Sequence, residues 1–334
     1  MSTCNVLVTV PRPLRDHVLS EEAERKLRDM AKVTMNEEGR NLTGEELAER
    51  LPGVDAILAS WGLTKLTEEV LDSADRLEIV AYGAGSVKGF VTPALYERDI
   101  VVSHAAHRIA DSVAEFSLLL AMIGLRRPHT FNRQLKEGAK WPRSRDLPLY
   151  EIAERRVGLL GMGYVGRRAA RLFQGVGAEV WAYDPYLPGD QAETLGVHKA
   201  ELDEVLGACK VVSVHLPTTE ETHHMLGARE FALLQDGAIF INTARSWVLD
   251  QAALVRALQE GRFWAALDVY DQEPLPVEHP LRSMDNVFLT PHVAGLTRDS
   301  HGSLMGEMVD EIARYFAGEP LKHQVTQEML KIMA

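Results

Sequence analysis

The chain has 334 residues, 46% hydrophobic and 25% charged, the balance of a soluble globular protein long enough for two compact units. Its 36 basic against 48 acidic side chains give a net charge of −12, which repels nucleic acid and anionic membrane; an anionic ligand would need a local cluster of positive groups. Two cysteines, Cys4 and Cys209, are too few for a disulfide framework and lack metal-ligand spacing, so no metal site is expected and a reduced, cytoplasmic compartment fits. The N-terminal run Asn5–Val10 has no basic region before it and does not read as a signal peptide. The longest apolar run, Phe116–Leu125, falls far short of a membrane span.

Residues 1 to about 105 alternate strand and helix patterns. Strands are expected at Asn5–Val10, Ala31–Met35, Asp55–Ser60, Glu78–Tyr82 and Ile100–His104. Between them, Thr43–Leu51 reads as a helix with Thr43 as cap and Glu46 as its capping-box partner. Thr67–Leu71 repeats a polar cap, early acids and an apolar face. Such alternation argues for a parallel sheet flanked by helices. Ser112–Leu125 is a helix too apolar for an ordinary surface element, which suits a buried connector or a subunit interface. A polar helix follows, then a loop over Gly138–Pro148.

A second α/β unit begins at Val157. Val157–Leu160 enters three glycines spaced G-x-G-x-x-G, Gly161, Gly163 and Gly166. A helical pattern with apolar Val165, Ala169, Leu172, Phe173 and Val176 follows, and the next strand, Ala178–Tyr183, ends on Asp184. This is the dinucleotide fingerprint in its expected context. The first glycine permits a tight turn, the second lets a pyrophosphate approach the backbone, and the third lets helix and strand pack closely. The helix N-terminus offers free N–H groups to the phosphates. Asp184, 18 residues after Gly166, is placed to accept hydrogen bonds from a ribose hydroxyl pair. It stands where a 2′-phosphate would sit, with no adjacent arginine, so NAD is favoured over NADP.

Further strands are expected at Val211–Val214, Ala238–Asn242, Trp264–Val269 and Val287–Thr290, and a final helix at Arg298–Ala317 is long enough to return to the first unit. Ligands of open α/β sheets bind beyond the carboxyl ends of the strands. Those ends carry His215-Leu216-Pro217, Thr243-Ala244-Arg245, Asp268 with Glu273 beyond it, and Pro291-His292. Arg245 can hold a carboxylate by two parallel charge-assisted bonds and polarise an adjacent carbonyl. His292 can exchange a proton near neutral pH, and Glu273, if bonded to it, would orient the ring and stabilise its protonated form. An arginine or a histidine alone is more often an ordinary surface or loop residue, and Glu273 before Pro274 reads equally as a turn acid; together at successive strand ends they point to a hydride-transfer site.

With these motifs in that order, the chain resembles the D-isomer-specific 2-hydroxyacid dehydrogenases, a family that includes phosphoglycerate dehydrogenases, glyoxylate/hydroxypyruvate reductases and D-lactate dehydrogenases. The matching stretches are Ser112–Glu115, Val157–Gly166 with Asp184, Val211–Pro217, Ile241–Arg245, Leu267–Pro274 and Thr290–Gly295. The resemblance implies two Rossmann-like doubly wound parallel-sheet domains. The outer one, flavodoxin-like and substrate-binding, would be discontinuous over 1–110 and 298–334; the NAD-binding domain would span 111–297. It implies Arg245, Glu273 and His292 as the catalytic three, with Asp268 near the nicotinamide. Cofactor contacts would come from Gly161, Gly163, Tyr164, Val165, Gly166, Asp184, Leu216, Pro217, Thr222, Thr243, Ala244 and Asp268. A homodimer built partly on the 112–125 helix is implied as well.

Three departures from the family pattern bear on substrate. The outer loop reads Tyr82-Gly83-Ala84-Gly85-Ser86-Val87-Lys88-Gly89-Phe90, with Val87 where the family usually has aspartate. The N–H groups of Ala84 and Gly85 remain candidates for a substrate carboxylate, and this loop is the expected selector of substrate. His104-Ala105-Ala106-His107-Arg108 replaces the family's N-x-P-G stretch, and Ser246 stands where glycine usually follows the arginine. Lys88, His107 and Arg108 read either as a phosphate site or as solvated surface charges. The chain's end at Ala334 is read as leaving no room for the extra regulatory domain of some phosphoglycerate dehydrogenases. The expected reaction interconverts a 2-oxo acid and a D-2-hydroxy acid. Formate dehydrogenases are disfavoured because Glu273 stands where they carry glutamine. The alternative is an NAD-sensing binding protein of the corepressor type that keeps the same fold.

Overall fold

The computed structural model describes residues 4–141 and 147–333; residues 142–146 of the predicted Gly138–Pro148 loop lie outside the described residues. The chain divides into two compact units, 1–109 with 296–334, and 110–295.

In the first unit, five strands run parallel: β1 (Cys4–Val8), β2 (Ala31–Met35), β3 (Ala56–Ala59), β4 (Ile79–Tyr82) and β5 (Val101–His104). Their order, β2-β1-β3-β4-β5, is the flavodoxin-type doubly wound arrangement. Alternate residues face opposite layers: Leu7 enters one apolar cluster with Leu47, Leu71 and Phe90, while Val6 and Val8 enter the other with Leu27, Met308 and Ile312. The predicted capping box is present, with Glu46 N–H on Thr43 Oγ1 at 3.3 Å and Thr43 N–H on Glu46 Oε2 at 2.8 Å. Thr67 occupies the cap position of the short helix Glu68–Leu71, but its side chain makes no cap bond.

In the second unit, seven parallel strands follow: β6 (Arg156–Leu160), β7 (Glu179–Tyr183), β8 (His198–Lys199), β9 (Val211–Val214), β10 (Ile239–Asn242), β11 (Trp264–Leu267) and β12 (Val287–Leu289). The order β12-β11-β10-β9-β6-β7-β8 reverses direction at β6/β9, the switch point where a Rossmann sheet takes its ligand. Phe240 points into one helical layer and Ile239 and Ile241 into the other. The sequence suggests six strands here; β8 is the seventh. Two residues cannot display an alternating pattern, so it left no signal.

The helix Ala106–Arg126 begins six residues before the expected Ser112, and the boundary between units falls within it, after Ile109. Its buried stripe mixes small residues with Leu120 and Leu125, and a Cβ at Gly124 would stand 2.6 Å from both Ile239 and Trp264 side chains. Close helix-to-sheet approach therefore requires glycine there. The final helix, Arg298–Phe316, belongs to the first unit and buries Leu304, Met305, Met308, Val309 and Ile312 against that unit's sheet. The first unit is thus made of two separate stretches of the chain. After this helix, β13 (Gln324–Val325) adds to β5 as an antiparallel edge, an element too short to be read from sequence. No helix among the described residues is long and apolar enough to cross a membrane.

Candidate active site

The glycine loop is built as its spacing requires. Gly161 has φ +99°, and a Cβ there would stand 2.7 Å from the His215 carbonyl oxygen, so only glycine permits the turn beside β9. A Cβ on Gly166 would fall 2.0 Å from the Gly161 carbonyl oxygen, which fixes glycine where the helix Tyr164–Gly175 meets the turn. Gly163 is different: a Cβ there meets nothing within 4 Å. The protein leaves open space at the position through which a pyrophosphate approaches the backbone, and Tyr164 and Val165 open the helix whose N-terminus faces it. The residues present therefore fit a dinucleotide. Arg167, not among the residues expected from sequence, folds back to donate to the Met162 carbonyl at 2.8 Å and to Gln191 at 3.0 Å. Its place immediately after the third glycine was the available clue.

Asp184 ends β7. Its Oδ2 accepts from Met162 N–H at 2.7 Å and its Oδ1 from Tyr186 N–H at 2.8 Å, so the carboxylate ties the glycine loop to the turn after β7. Leu216 and Pro217 follow β9, and the turn beyond them is ordered by Thr222, whose hydroxyl donates to the Pro217 carbonyl at 2.7 Å. At the end of β10, buried Asn242 accepts from Ala244 N–H and donates to the Arg245 carbonyl, both at 3.0 Å. Ser117 of the long helix meets Thr243 Oγ1 at 3.0 Å. His215 sits among these strand ends with both ring nitrogens buried and no hydrogen-bond partner among the described residues. Burial pulls its pKa down to about 4, so it is a neutral imidazole at neutral pH.

The three proposed catalytic residues come together. His292 Nδ1 lies 2.7 Å from Glu273 Oε2, and Glu273 Oε1 accepts from Tyr270 N–H at 3.0 Å. Tyr270 is itself fixed, its hydroxyl donating to the Leu267 and Thr290 carbonyls at 2.8 and 2.9 Å. Half-buried Arg245 donates to the Ala244 carbonyl at 2.7 Å. Burial lowers the pKa of its guanidinium from the ordinary value and the negative charge of Glu273 opposes that shift, so carboxylate and guanidinium share one field. Asp268 is fully buried and accepts from Thr290 Oγ1 at 2.6 Å, Val293 N–H at 2.9 Å and Ala294 N–H at 2.9 Å. These bonds straddle His292, which sits at φ +55°, a conformation a histidine holds only when its neighbours impose it. Asp268 thus braces the backbone on both sides of His292, contacts that strand-end counting does not reveal. Ser246 opens a 3-10 turn, Ser246–Val248, and is not among the positive-φ residues, which explains why serine is accommodated.

In the first unit, Ala84 and Gly85 differ. The Ala84 N–H is turned to the Tyr82 carbonyl at 2.8 Å and the residue is fully buried. The Gly85 N–H donates to no backbone carbonyl among the described residues. Val87 is fully buried and the Phe90 ring packs against Tyr82, tilted by 46° with centroids 4.7 Å apart, so the altered loop is held by apolar packing. His107 and Arg108 both engage Glu307, Arg108 Nε at 3.1 Å from its Oε1, and Arg108 also donates to Ser303 at 2.9 Å. Both side chains therefore have protein partners. The His323 ring stacks on His107 at 3.6 Å and 11°. Although His107, Glu307 and His323 are close enough together to suggest a cation site, stacked rings would hold a shared ion far outside both ring planes, where the nitrogen lone pairs do not reach. The trio is a contact cluster gathered around the Glu307 carboxylate.

Comparison with known proteins identifies the family. The family described as D-isomer specific 2-hydroxyacid dehydrogenase, NAD binding domain, matches residues 116–294. A glyoxylate reductase of Korarchaeum cryptofilum is 34% identical over 293 residues, covering 86% of this chain and 87% of that protein. A D-3-phosphoglycerate dehydrogenase of Archaeoglobus fulgidus is 33% identical over 285 residues, 85% of this chain but 54% of the relative, so the chain spans about half the length of that enzyme. Among solved structures, a phosphoglycerate oxidoreductase from Rhizobium etli superposes with a TM-score of 0.83 at 25% identity, covering 98% of this chain and 99% of the other. The chain belongs to the D-isomer specific 2-hydroxyacid dehydrogenase family.

Proposed function

We propose that the chain is an NAD-dependent oxidoreductase that interconverts a 2-oxo acid and a D-2-hydroxy acid. The observation that carries this reading is the 2.7 Å bond between Glu273 and His292, beside Arg245, at the strand ends of a sheet whose glycine loop suits a dinucleotide. Bound nicotinamide supplies the hydride. Arg245 takes the substrate carboxylate on parallel N–H groups and polarises the adjacent carbonyl. His292, fixed through Nδ1, delivers a proton from Nε2 to the oxygen that becomes the hydroxyl, and Glu273 stabilises the ring while it carries that proton. Asp184 receives the adenosine ribose and Asp268 lies near the nicotinamide, while Leu216, Pro217, Thr222, Thr243 and Ala244 line the cofactor's path along the strand ends. Gly85 offers its N–H to a carboxylate.

His107 and Arg108 are held by Glu307 and Ser303, so two of the three side chains that could meet a phosphate already face a carboxylate. Small unphosphorylated acids are therefore the expected substrates. The test is NADH oxidation against glyoxylate, hydroxypyruvate, pyruvate and 3-phosphohydroxypyruvate, with the product resolved for handedness. A D-2-hydroxy acid product supports the assignment. Binding of NADH without turnover of any of the four would favour the sensor reading instead.

A homodimer is proposed on the same family basis. The helix Ala106–Arg126 leaves Leu119 49% exposed and the next helix leaves Leu135 50% exposed, apolar surface that a second copy would cover. Light scattering during size-exclusion chromatography decides between twice the chain mass and the chain mass alone.

A further inference from the structure

β7 and β9 are the two neighbours of β6, so the turns that follow them flank the glycine loop from opposite sides. One side-chain bond spans the gap. The Tyr186 hydroxyl, from the turn after β7, donates to Glu221 Oε2 at 2.8 Å, from the turn after β9. The link continues inward: Tyr186 N–H donates to Asp184 Oδ1 at 2.8 Å, and Asp184 Oδ2 accepts from Met162 N–H at 2.7 Å. A chain of contacts thus runs from the glycine loop through Asp184 and Tyr186 to Glu221, across the C-terminal end of β6. Glu221 stands on an ordered base, because its neighbour Thr222 is buried and bonded to Pro217 and Thr219.

The charge on this side is of one sign. Tyr183, at the end of β7, has its phenol pushed above the ordinary pKa by burial first and then by Glu201, Asp184 and Glu221, so three carboxylates act on one spot. The basic groups nearby spend donors elsewhere, Arg167 on the Met162 carbonyl and Gln191, Lys199 on the Leu187 carbonyl at 2.6 Å. A 2′-phosphate brought to Asp184 would meet Glu221 as a second like charge.

We propose that Tyr186 and Glu221 form a strap across the adenosine end of the cofactor site, and that Glu221 is a second determinant of NAD over NADP. Asp184 rejects the 2′-phosphate at the ribose, and Glu221, held by the Tyr186 hydroxyl, adds its charge from the opposite turn. Tyr186 is a positioning residue: its bond restrains both turns where they close over the adenosine. Glu221 is exposed, so its influence is electrostatic and sensitive to salt.

This inference rests on the placement of the ribose at Asp184, and binding titrations separate the two. Reduced-nicotinamide fluorescence gives Kd for NADH and NADPH directly, with no substrate needed. Wild type, Asp184→Ala, Glu221→Gln and Tyr186→Phe are compared at low and high ionic strength. Glu221→Gln keeps an acceptor for the Tyr186 hydroxyl and removes only the charge. It should leave NADH affinity within about twofold and raise the NADPH-to-NADH affinity ratio about five- to tenfold at low salt, a gain that shrinks as salt is added. Tyr186→Phe should weaken NADH binding several-fold. If Asp184→Ala raises the ratio and Glu221→Gln leaves it unchanged, the strap has no part in selectivity and the proposal is overturned. If Asp184→Ala leaves the ratio unchanged as well, the ribose placement itself fails and the proposal falls with it.

Discussion

Glu273 grips His292 at Nδ1 from 2.7 Å while its other carboxylate oxygen is anchored on the Tyr270 N–H. The carboxylate therefore has a fixed position of its own and can set the ring's orientation. Replacing Glu273 by Gln keeps an oxygen that can accept from Nδ1 but removes the charge that stabilises the proton-carrying ring. The expected loss is about tenfold in kcat with little change in NADH affinity, measured by steady-state kinetics and fluorescence titration. A parallel loss of NADH affinity would assign Glu273 to cofactor binding instead.

Asp268 makes a separate contribution. Its buried carboxylate satisfies three donors on either side of His292. Asp268→Asn can satisfy at most part of that set, and a buried donor left unpaired costs about 1–3 kcal/mol. Chemical denaturation should show a loss of that size, and kcat should fall because the strained backbone at His292 is no longer held. Unchanged stability would mean the three bonds are dispensable.

The glycine loop allows stability and binding to be separated. Gly166→Ala places a Cβ 2.0 Å from a backbone oxygen, so the fold must shift, at about 1–3 kcal/mol or more. Gly163→Ala meets no protein atom within 4 Å and should melt like wild type, yet bind NADH far more weakly, because its methyl occupies the open approach to the backbone. Thermal melts and NADH titrations on the two variants check both halves. Wild-type NADH affinity in Gly163→Ala would show that the pyrophosphate lies elsewhere.

His104 gives the outer unit an acid sensitivity. Its ring is buried, Nδ1 lies 2.9 Å from the Gly85 carbonyl, and burial first, then the neighbouring His107 and His323, pulls its pKa from 6.5 to about 4. The unfolded chain then binds a proton at higher pH than the folded one, so stability falls as pH drops from about 6.5 towards 4. The contribution of this residue is on the order of 3 kcal/mol over that window. Urea denaturation at stepped pH should show the decline, with a shallower slope in His104→Asn. The same slope in both proteins would remove His104 as its source.

The sequence disclosed most of the nucleotide-binding unit, for physical reasons visible in the structure. Strands buried on both faces read as apolar runs, and Gly161 and Gly166 are the residues that the turn and the packing require. Counting strand ends from Gly161 then located Arg245 and His292. What stayed hidden depends on contacts between residues far apart in the chain. The Tyr186–Glu221 bond spans 35 positions and the His107–Glu307 pair brings the outer helix back from the end of the chain. Asp268 was visible as a strand-end acid, but its three donors were not. The partly internal bonding of Ala84 and the ion pairing of Arg108 likewise depend on local geometry that residue type alone does not specify.

The central claim is that His292 delivers the proton that accompanies hydride transfer. Its most direct test is the turnover of His292→Ala with NADH and the best 2-oxo acid found for the wild-type chain. The account predicts a fall in kcat of about 10²–10⁴ with NADH affinity unchanged. Turnover near that of the wild type, with the same cofactor affinity, would contradict it.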